Sequence, residues 1–316
     1  MSGNSASPIL PADDMAISTA AARLRAGGLV ALPTETVYGL AARADSADAV
    51  AAIYRAKGRP DFNPLIVHVS SLAAAERIAL FDERARALAE AFWPGPLTLV
   101  LPLRPDAGIA PAVTAGLPTI ALRCPAHPVM RAVLEACDLP LAAPSANRSG
   151  AVSPTEAAHV AASLAGRVDL VLDGGVCARG IESTIVAPRD FGWSLLRPGP
   201  VTEAQIAKII GENADVTAST GGRIEAPGQL ASHYAPGKPV RLEASAARDD
   251  EFLIGFGPVA GDVSLSPSGD LAEAAARLYA CLHAAAAAPQ PRIAVAPVPQ
   301  DDIGAAINDR LRRAAA

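Results

Sequence analysis

Short apolar runs alternate with amphipathic segments between residues 29 and 210. Uninterrupted apolar runs of this kind are typical of buried strands, whereas apolar residues four positions apart are typical of helices. Val129, Val133 and Cys137 show the helical spacing, which places them on one face of a helix. The pattern predicts strands over 29–33, 65–69, 97–101, 119–124, 139–143, 170–172, 183–187 and 193–196, and helices over 46–57, 83–92, 129–137, 154–165 and 203–210.

The helix predicted over 154–165 has an unusually complete start signal. Ser153 is placed to cap it, Pro154 suits the first helical position, and Glu156 is placed to reach back to the cap. Strands and helices that are mixed along the chain in this way predict an α/β or α+β domain.

The periodic pattern stops over 212–239, a stretch rich in Gly, Ala, Ser, Thr and Pro that is typical of a linker or a long loop. Beyond it, apolar runs at 253–256 and 293–296 alternate with helical stripes, an order that favours a small parallel α/β unit. The sequence therefore predicts a first domain over 1–211, a linker, and a second domain over 240–316. With under about 80 residues, the second domain is expected to pack against the first.

Composition narrows the choice of function. The chain has 316 residues, which agrees with two domains, and its net charge of −5 weighs against nucleic-acid binding. The sequence has no secretory signal and no apolar run of the ~20 residues that a membrane helix needs. Its four cysteines form no CxxC pair, so we expect buried free thiols in a reducing compartment, the cytosol, without a zinc site or disulfides.

The familiar nucleotide-binding and catalytic motifs are absent from the sequence. It contains neither GxxxxGK[ST] nor GxGxxG, and no HExxH, GxSxG or kinase signature. A nucleotide site in this chain must therefore be assembled from residues that are scattered along the sequence.

Polar residues cluster just after the helix predicted over 46–57. Lys57, Arg59 and Asn63 precede an apolar strand that contains His68. Cations at a helix C-terminus complement its dipole, which is a sufficient structural role for Lys57. Two cations with an Asn and a His also suit a polyphosphate and a carboxylate, and the residues alone leave both interpretations open.

Two positions within predicted strands carry ionisable side chains. A lone strand histidine such as His68 is usually only hydrogen-bonded, but a buried arginine such as Arg123 needs a carboxylate or phosphate partner from the protein or from a ligand. Thr34 and Thr36 share one face if their segment is extended, although a capped turn is slightly favoured there. Finding a His and an Arg placed in this way favours a polar pocket.

Further polar positions lie at the ends of predicted strands. The small residues of 142–147 allow a ligand to approach the backbone closely. Ser183 begins one strand and Arg197 ends another. For each of these, an ordinary turn or cap is the favoured interpretation when it is read alone.

The combination of motifs is more specific than any one of them. In chain order the sequence contains Pro-Thr-Glu-Thr-Val-Tyr-Gly-Leu, Lys-x-Arg-Pro, Asn-Pro-Leu-Ile-Val-His, Trp-Pro-Gly-Pro-Leu-Thr, Ala-Pro-Ser-Ala-Asn, Glu-Ser-Thr-Ile and Leu-Arg-Pro-Gly. This series closely resembles the YrdC-like family in its long, two-domain form, the threonylcarbamoyl-AMP synthases. The resemblance is dense over 27–211, continues through Ser-His-Tyr-Ala-Pro at 232–236, and is weaker over 304–310.

The resemblance implies a twisted, mixed α/β sheet around a deep pocket, followed by a small Rossmann-like domain. The implied reaction joins threonine, bicarbonate or carbon dioxide, and ATP into threonylcarbamoyl-AMP and pyrophosphate. Mg²⁺ is expected to accompany the ATP, with no metal site on the protein itself. The implied partner is a downstream tRNA-modifying transferase complex, and neither a stable nucleic-acid complex nor a membrane is expected.

The resemblance also assigns site residues. Threonine is expected to contact Thr36, His68, Arg123, Ala143 and Ser183. ATP is expected to contact Arg59, Asn63, Thr119, Ser145, Ser153, Arg197 and Tyr234. Lys57 and Arg59 are the expected catalytic residues, acting by positioning and charge stabilisation rather than as nucleophiles. Because Tyr234 lies in the linker, the linker is expected to close over the pocket as a lid.

Two alternatives remain at this point. The first is an RNA-binding module of the same family, although the net charge and the lack of an aromatic and basic RNA-reading motif weigh against it. The second is a related carbamoyl-adenylate-forming domain of hydrogenase maturation. Such domains sit in much longer chains with zinc fingers, for which this chain has neither the length nor the cysteines.

Overall fold

A computed structural model describes residues 7–189, 191–212, 225–227 and 233–316. In this part of the chain the strands form two sheets, one of ten strands and one of four. The strands are β1 (Ile9–Pro11), β2 (Val30–Leu32), β3 (Gly39–Arg43), β4 (Ile66–His68), β5 (Leu97–Pro102), β6 (Thr119–Arg123), β7 (Leu141–Ala142), β8 (Leu170–Asp173), β9 (Thr184–Pro188), β10 (Trp193–Arg197), β11 (Val240–Arg241), β12 (Glu251–Gly255), β13 (Val263–Ser264) and β14 (Arg292–Val295).

The helices pack on both sheets. They are α1 (Asp14–Arg25), α2 (Ala47–Lys57), α3 (Leu72–Glu76), α4 (Glu83–Phe92), α5 (Pro111–Thr114), α6 (Pro128–Cys137), α7 (Ala157–Leu164), α8 (Glu203–Ile210), α9 (Leu271–Ala287) and α10 (Gly304–Ala314). None of the helices in the described ranges is long and apolar enough to cross a membrane.

The larger sheet mixes parallel and antiparallel pairs. Its strand order is β1-β8-β2-β3-β7-β4-β6-β5-β9-β10. Strand β4 is parallel to β6 and antiparallel to β7, for example. The smaller sheet, in the order β11-β14-β12-β13, is parallel throughout. Both findings confirm the predicted mixed α/β sheet followed by a small parallel α/β unit.

The alternation of side chains along β4 and β6 separates the core from the pocket. Val67 and Leu122 belong to the main hydrophobic core. The neighbouring His68 and Arg123 are in register across the two strands, and both line a cavity on the other face of the sheet. A shift of the strand register by one residue would exchange the two faces of the strand. The observed register therefore places the ionisable side chains of His68 and Arg123 in the pocket.

The two parts of the molecule share a hydrophobic core, as the small size of the second part led us to expect. Val37 and Ile181 pack in one cluster with Leu278 and Tyr279 of α9. Gly180 makes this approach possible, since a Cβ on it would collide with carbonyl oxygens of α9. Its φ of +66° also favours glycine.

Some predicted boundaries are wrong. The helix predicted from 154 begins at Ala157, and no side chain caps it. The Ser153 hydroxyl instead donates to the Glu182 carboxylate at 2.6 Å, so a tertiary partner replaces the predicted local cap. The residues 213–224 and 228–232 of the predicted linker lie outside the described part of the chain. The sequence pattern did not reveal β1, α1, β3, α3, α5, β11 or β13.

Candidate active site

A cavity opens beside β4, β6 and the loops around them. Its walls come from the β2–β3 connection, from the loop after β7, and from the segments that flank β9 and β10. The lining residues are Thr34, Thr36, Val37, Gly39, Arg59, Ile66, His68, Arg123, Ala143, Pro144, Ser145, Glu182, Ser183, Arg197, Pro227, His233 and Tyr234.

Arg123 has a carboxylate partner within the protein. Its Nη2 donates to Glu35 Oε1 at 2.6 Å, and its Nη1 donates to Thr36 Oγ1 at 2.8 Å. Burial alone would raise the pKa of Glu35, but the charge and hydrogen bonds of Arg123 outweigh it and lower that pKa. The pair is therefore ionised. A guanidinium has five N–H groups, and Arg123 uses a third on Gly95 O, which leaves two for a ligand.

The two threonines of the β2–β3 connection form a turn rather than an extended segment. Thr34 Oγ1 accepts from the backbone N–H groups of Thr36 and Val37 and donates to Val37 O. It also lies 2.8 Å from Thr36 Oγ1. Either hydroxyl can be the donor in this contact. The turn thereby fixes the Thr36 hydroxyl beside Arg123.

His68 is a buried, neutral imidazole at the pocket wall. Burial, assisted by the charge of Arg123, lowers its pKa to about 3. Its Nδ1 is buried and has no hydrogen-bond partner among the described residues. Buried polar atoms are normally paired, so this nitrogen is available to a ligand in the cavity.

Two further arginines, Arg59 and Arg197, bring positive charge to the cavity, and the charge of Glu182 acts on Arg197. Arg59 donates to the carbonyl oxygens of Asn63 at 3.2 Å and Pro64 at 2.8 Å. Arg197 donates at 3.0 Å both to Ser183 O and to Ser183 Oγ. Burial lowers the pKa of Arg59 to about 10 and also lowers that of Arg197. No carboxylate of the described residues lies within ion-pair distance of either guanidinium, an arrangement that suits a polyphosphate.

Lys57 lies behind the pocket wall rather than in it. This last residue of α2 is 3% exposed, and its Nζ donates at 2.5 Å to the carbonyl oxygens of Ser145 and Asn147. Burial lowers its pKa well below the usual range, with a smaller contribution from Arg59. The side chain thus ties α2 to the small-residue loop that forms one side of the cavity.

Besides Lys57, three predicted site residues do not line the cavity. Asn63 is buried with no partner for its Oδ1 among the described residues. Thr119 is partly exposed at the start of β6. Ser153 is fully buried against Glu182. The cavity brings together the remaining predicted residues, namely Thr36, Arg59, His68, Arg123, Ala143, Ser145, Ser183, Arg197 and Tyr234.

The sequence reasoning did not assign several lining residues. Three of them lie inside or beside recognised motifs, namely Thr34, Glu182 and His233. Their position next to assigned site residues was the only sign in the sequence that they could line the cavity. Pro227 lies in the stretch that was interpreted only as a linker. Its carbonyl oxygen accepts from Arg197 Nη1 at 3.4 Å.

Tyr234 connects the cavity to the second part of the molecule. Its side chain is 1% exposed, and its ring centroid lies 5.5 Å from that of Tyr279 on α9. The following residue, Ala235, donates its N–H to Gly150 O at 2.8 Å. Two described parts of the linker, 225–227 and the residues from 233 onward, therefore both contribute to the cavity lining.

The geometry can be compared with known proteins. The Sua5/YciO/YrdC family model, described as telomere recombination, matches residues 22–199, more than half of the 316. The chain belongs to the Sua5/YciO/YrdC family. A second family model, described as the threonylcarbamoyl-AMP synthase C-terminal domain, matches residues 201–316.

Relatives of this Sua5/YciO/YrdC-family chain cover both of its parts. It is 46% identical over 248 residues to threonylcarbamoyl-AMP synthase of Bacillus subtilis, covering 78% of this chain and 71% of that protein. It is 45% identical over 233 residues to the Pyrococcus abyssi protein of that name, covering 72% of this chain and 68% of that protein. A crystal structure of Pyrococcus abyssi Sua5 complexed with L-threonine matches with a TM-score of 0.88 and 36% identity, over 98% of this chain and 97% of that one. The resemblance predicted from the motifs is confirmed.

Proposed function

We propose that the chain is a nucleotidyltransferase that joins L-threonine, bicarbonate and ATP into threonylcarbamoyl-AMP and releases pyrophosphate. The observation that carries this proposal is one cavity that brings together two sets of polar side chains. Arg59 and Arg197 supply positive charge without an ion-pair partner among the described residues, and the Arg123, His68 and Thr36 group faces the same space. Relatives at 45–46% identity are named threonylcarbamoyl-AMP synthase.

On the threonine side, we propose that Arg123 directs its two unused N–H groups to the substrate carboxylate. The fixed Thr36 hydroxyl and the unpartnered His68 Nδ1 provide further polar contacts. The backbone of Ala143 and the Ser183 hydroxyl complete this side of the cavity. Planar guanidinium and carboxylate groups match each other geometrically, which favours an amino acid over a neutral ligand here.

On the nucleotide side, we propose that Arg59 and Arg197 hold the phosphates and that the ring of Tyr234 covers them. Ser145 also lines the cavity, and the resemblance adds three further residues to the proposed ATP contacts. These three are Asn63, Thr119 and Ser153. The described parts of the linker support a lid role for it, because Pro227, His233 and Tyr234 line the pocket.

The proposed chemistry uses positioning and charge. The threonine amine adds to the carbon of carbon dioxide with loss of an amine proton, or to the carbon of bicarbonate with loss of water, to give a carbamate. A carbamate oxygen then bonds to the α-phosphorus of ATP, and the bond from that phosphorus to the bridging oxygen breaks, so that pyrophosphate leaves with the electron pair. In-line placement and cations near the leaving group lower the barrier. Arg59 acts directly on the phosphates, and Lys57 acts through the loop that it holds.

Mg²⁺ is proposed as the companion of ATP rather than as a resident ion of the protein. Within the described ranges, no three His, Cys, Asp or Glu side chains are grouped to hold a metal. Mg²⁺ commonly keeps several waters and binds substrate phosphates, so the nucleotide itself would supply its ligands.

The product is proposed to pass to a transferase complex that forms threonylcarbamoyladenosine in tRNA, without a stable nucleic-acid complex on this chain. The cytosol is the proposed location. The four cysteines are buried free thiols, which suits a reducing compartment.

Pyrophosphate release tests the proposed function. With ATP, Mg²⁺ and bicarbonate, the folded protein is expected to release pyrophosphate only when threonine is present. Arg197→Met should lower that rate at least ten-fold, because a buried charge-assisted contact is lost. Arg312→Met removes an exposed arginine of α10 and should leave the rate unchanged. Release that does not depend on threonine would refute the proposal.

A further inference from the structure

A buried network of charges and hydroxyls joins the second part of the molecule to the pocket. Glu182 Oε2 accepts from Tyr279 Oη at 2.7 Å and from Arg310 Nε at 3.1 Å. Its other oxygen, Oε1, accepts from Ser153 Oγ at 2.6 Å. Arg310 is fully buried and also donates to Pro198 O at 2.7 Å.

The two halves of this network come from different parts of the chain. Glu182 and Ser153 belong to the part with the larger sheet, whereas Tyr279 lies on α9 and Arg310 on α10. A buried ion pair contributes little to stability by itself, but losing one partner leaves an uncompensated charge. Arg310, in the second part of the molecule, therefore compensates the charge of Glu182 in the first part.

Glu182 is the acidic side chain among the lining residues of the cavity. Burial alone would raise its pKa, but the charges of Arg310 and Arg197 outweigh burial and lower the pKa to about 2. The carboxylate is therefore negatively charged at neutral pH. Arg197, which is proposed to hold phosphates, donates hydrogen bonds to O and Oγ of Ser183, the residue that follows Glu182. Glu182 and its partner Arg310 therefore lie beside the Arg197 guanidinium.

A negative charge at this place would oppose the binding of a polyphosphate in two ways. It would repel the phosphates directly, and it would compete with them for Arg197. Arg310 neutralises the carboxylate with a hydrogen bond from Nε and is held in place by Pro198 O and Asp309 Oδ2. The Arg310 side chain itself does not line the cavity, so it acts through Glu182 rather than on a substrate.

We infer that Arg310 of the second domain is a positioning residue that neutralises Glu182 and so keeps Arg197 available for the phosphates of ATP. This inference rests on the proposed nucleotide site. It assigns the second domain a part in nucleotide affinity that is distinct from holding the linker over the pocket.

The test measures the dissociation constant for ATP by calorimetry on the full chain, with thermal unfolding recorded for each variant. Arg310→Met is expected to weaken ATP binding about ten-fold or more, because an unpaired charge in a low-dielectric site acts strongly on nearby phosphates. Adding Glu182→Gln to Arg310→Met removes the bare charge and is expected to restore affinity to within about three-fold of the starting protein. Arg312→Met, an equal change of charge at an exposed site on the same helix, is the matched control and should bind as before.

The single variant Glu182→Gln distinguishes the inferred electrostatic role from a loss of structure, because the two predict opposite changes in ATP affinity. With Arg310 retained and the carboxylate gone, ATP binding is expected to tighten, whereas a merely structural role predicts weaker binding. This variant also decides the matter if Arg310→Met does not fold. Weaker ATP binding by Glu182→Gln, unchanged binding by Arg310→Met, or no recovery in the double variant would each overturn the inference. ATP binding that is absent in the starting protein would instead refute the proposed function.

Discussion

At the residue scale, Arg123 shows why one buried arginine can serve both structure and binding. Its ion pair with Glu35 accounts for one N–H group, and Thr36 and Gly95 account for two more. Simple truncation of Arg123 would therefore mix two effects, a lost substrate contact and an unpaired Glu35.

The double variant Arg123→Met with Glu35→Gln separates the two effects. It is expected to fold and to bind threonine about 1.5–3 kcal/mol more weakly, which is the usual contribution of a hydrogen bond to a charged group. Glu35→Gln alone keeps the guanidinium and should change threonine affinity much less. Equilibrium binding of labelled threonine measures this. Equal affinities for the double variant and for the starting protein would return Arg123 to a purely structural role.

At the element scale, one side chain of α2 helps to hold the loop after β7. Lys57 contacts two carbonyl oxygens of that loop, while Arg55, on the same helix, is exposed. Lys57→Met is expected to cost about 1–3 kcal/mol of unfolding free energy and to speed amide exchange in residues 145–147. Arg55→Met is the control and should do neither. If Lys57→Met left amide exchange in the loop unchanged but slowed pyrophosphate release, Lys57 would act on the substrate instead of on the loop.

The first residues of α7 and α8 show how far local sequence predicts elements. Thr202 and Gln205 form the full reciprocal cap of α8, and the predicted bounds of this helix are correct. A similar signal at Ser153 failed, because the Ser153 hydroxyl is hydrogen-bonded to Glu182 instead. Local pattern succeeds where nothing distant competes. Strands of two or three residues, such as β11 and β13, carry too few positions to show alternation.

In the candidate site, too, local sequence was informative where distant residues play no part. Residues inside motifs, such as His68 and Arg197, were assigned from the resemblance and lie at the cavity. The role of Glu182 was not predictable from its surroundings in sequence, because its partners Tyr279 and Arg310 are about a hundred residues away. Long-range pairing of this kind depends on the packing of the two domains.

At the scale of the whole molecule, buried neutral histidines make stability depend on pH. Burial lowers the pKa of His233 and of His283 to about 4 and that of His68 to about 3. Below the ordinary pKa of 6.5, the unfolded chain takes up protons that the folded chain does not, so stability falls as pH decreases. No such loss is expected from these groups above pH 7.5.

His283 contributes to this loss from the domain interface, where it stacks on His159 at 3.7 Å between ring centroids. His283→Gln is therefore expected to lose about 1–2 kcal/mol less unfolding free energy than the starting protein between pH 7.5 and pH 5. Urea denaturation at the two pH values measures the difference. An equal or larger loss in the variant would show that His283 is protonated in the folded state.

The measurement that tests the central claim most directly identifies the product of the complete reaction. The protein would be incubated with ATP, Mg²⁺, threonine and ¹³C-labelled bicarbonate, and the products analysed by mass spectrometry. We predict an adenylate that carries both threonine and one ¹³C atom, formed together with pyrophosphate. A folded, ATP-binding protein that yields an adenylate without the labelled carbon, or none at all, would contradict the account.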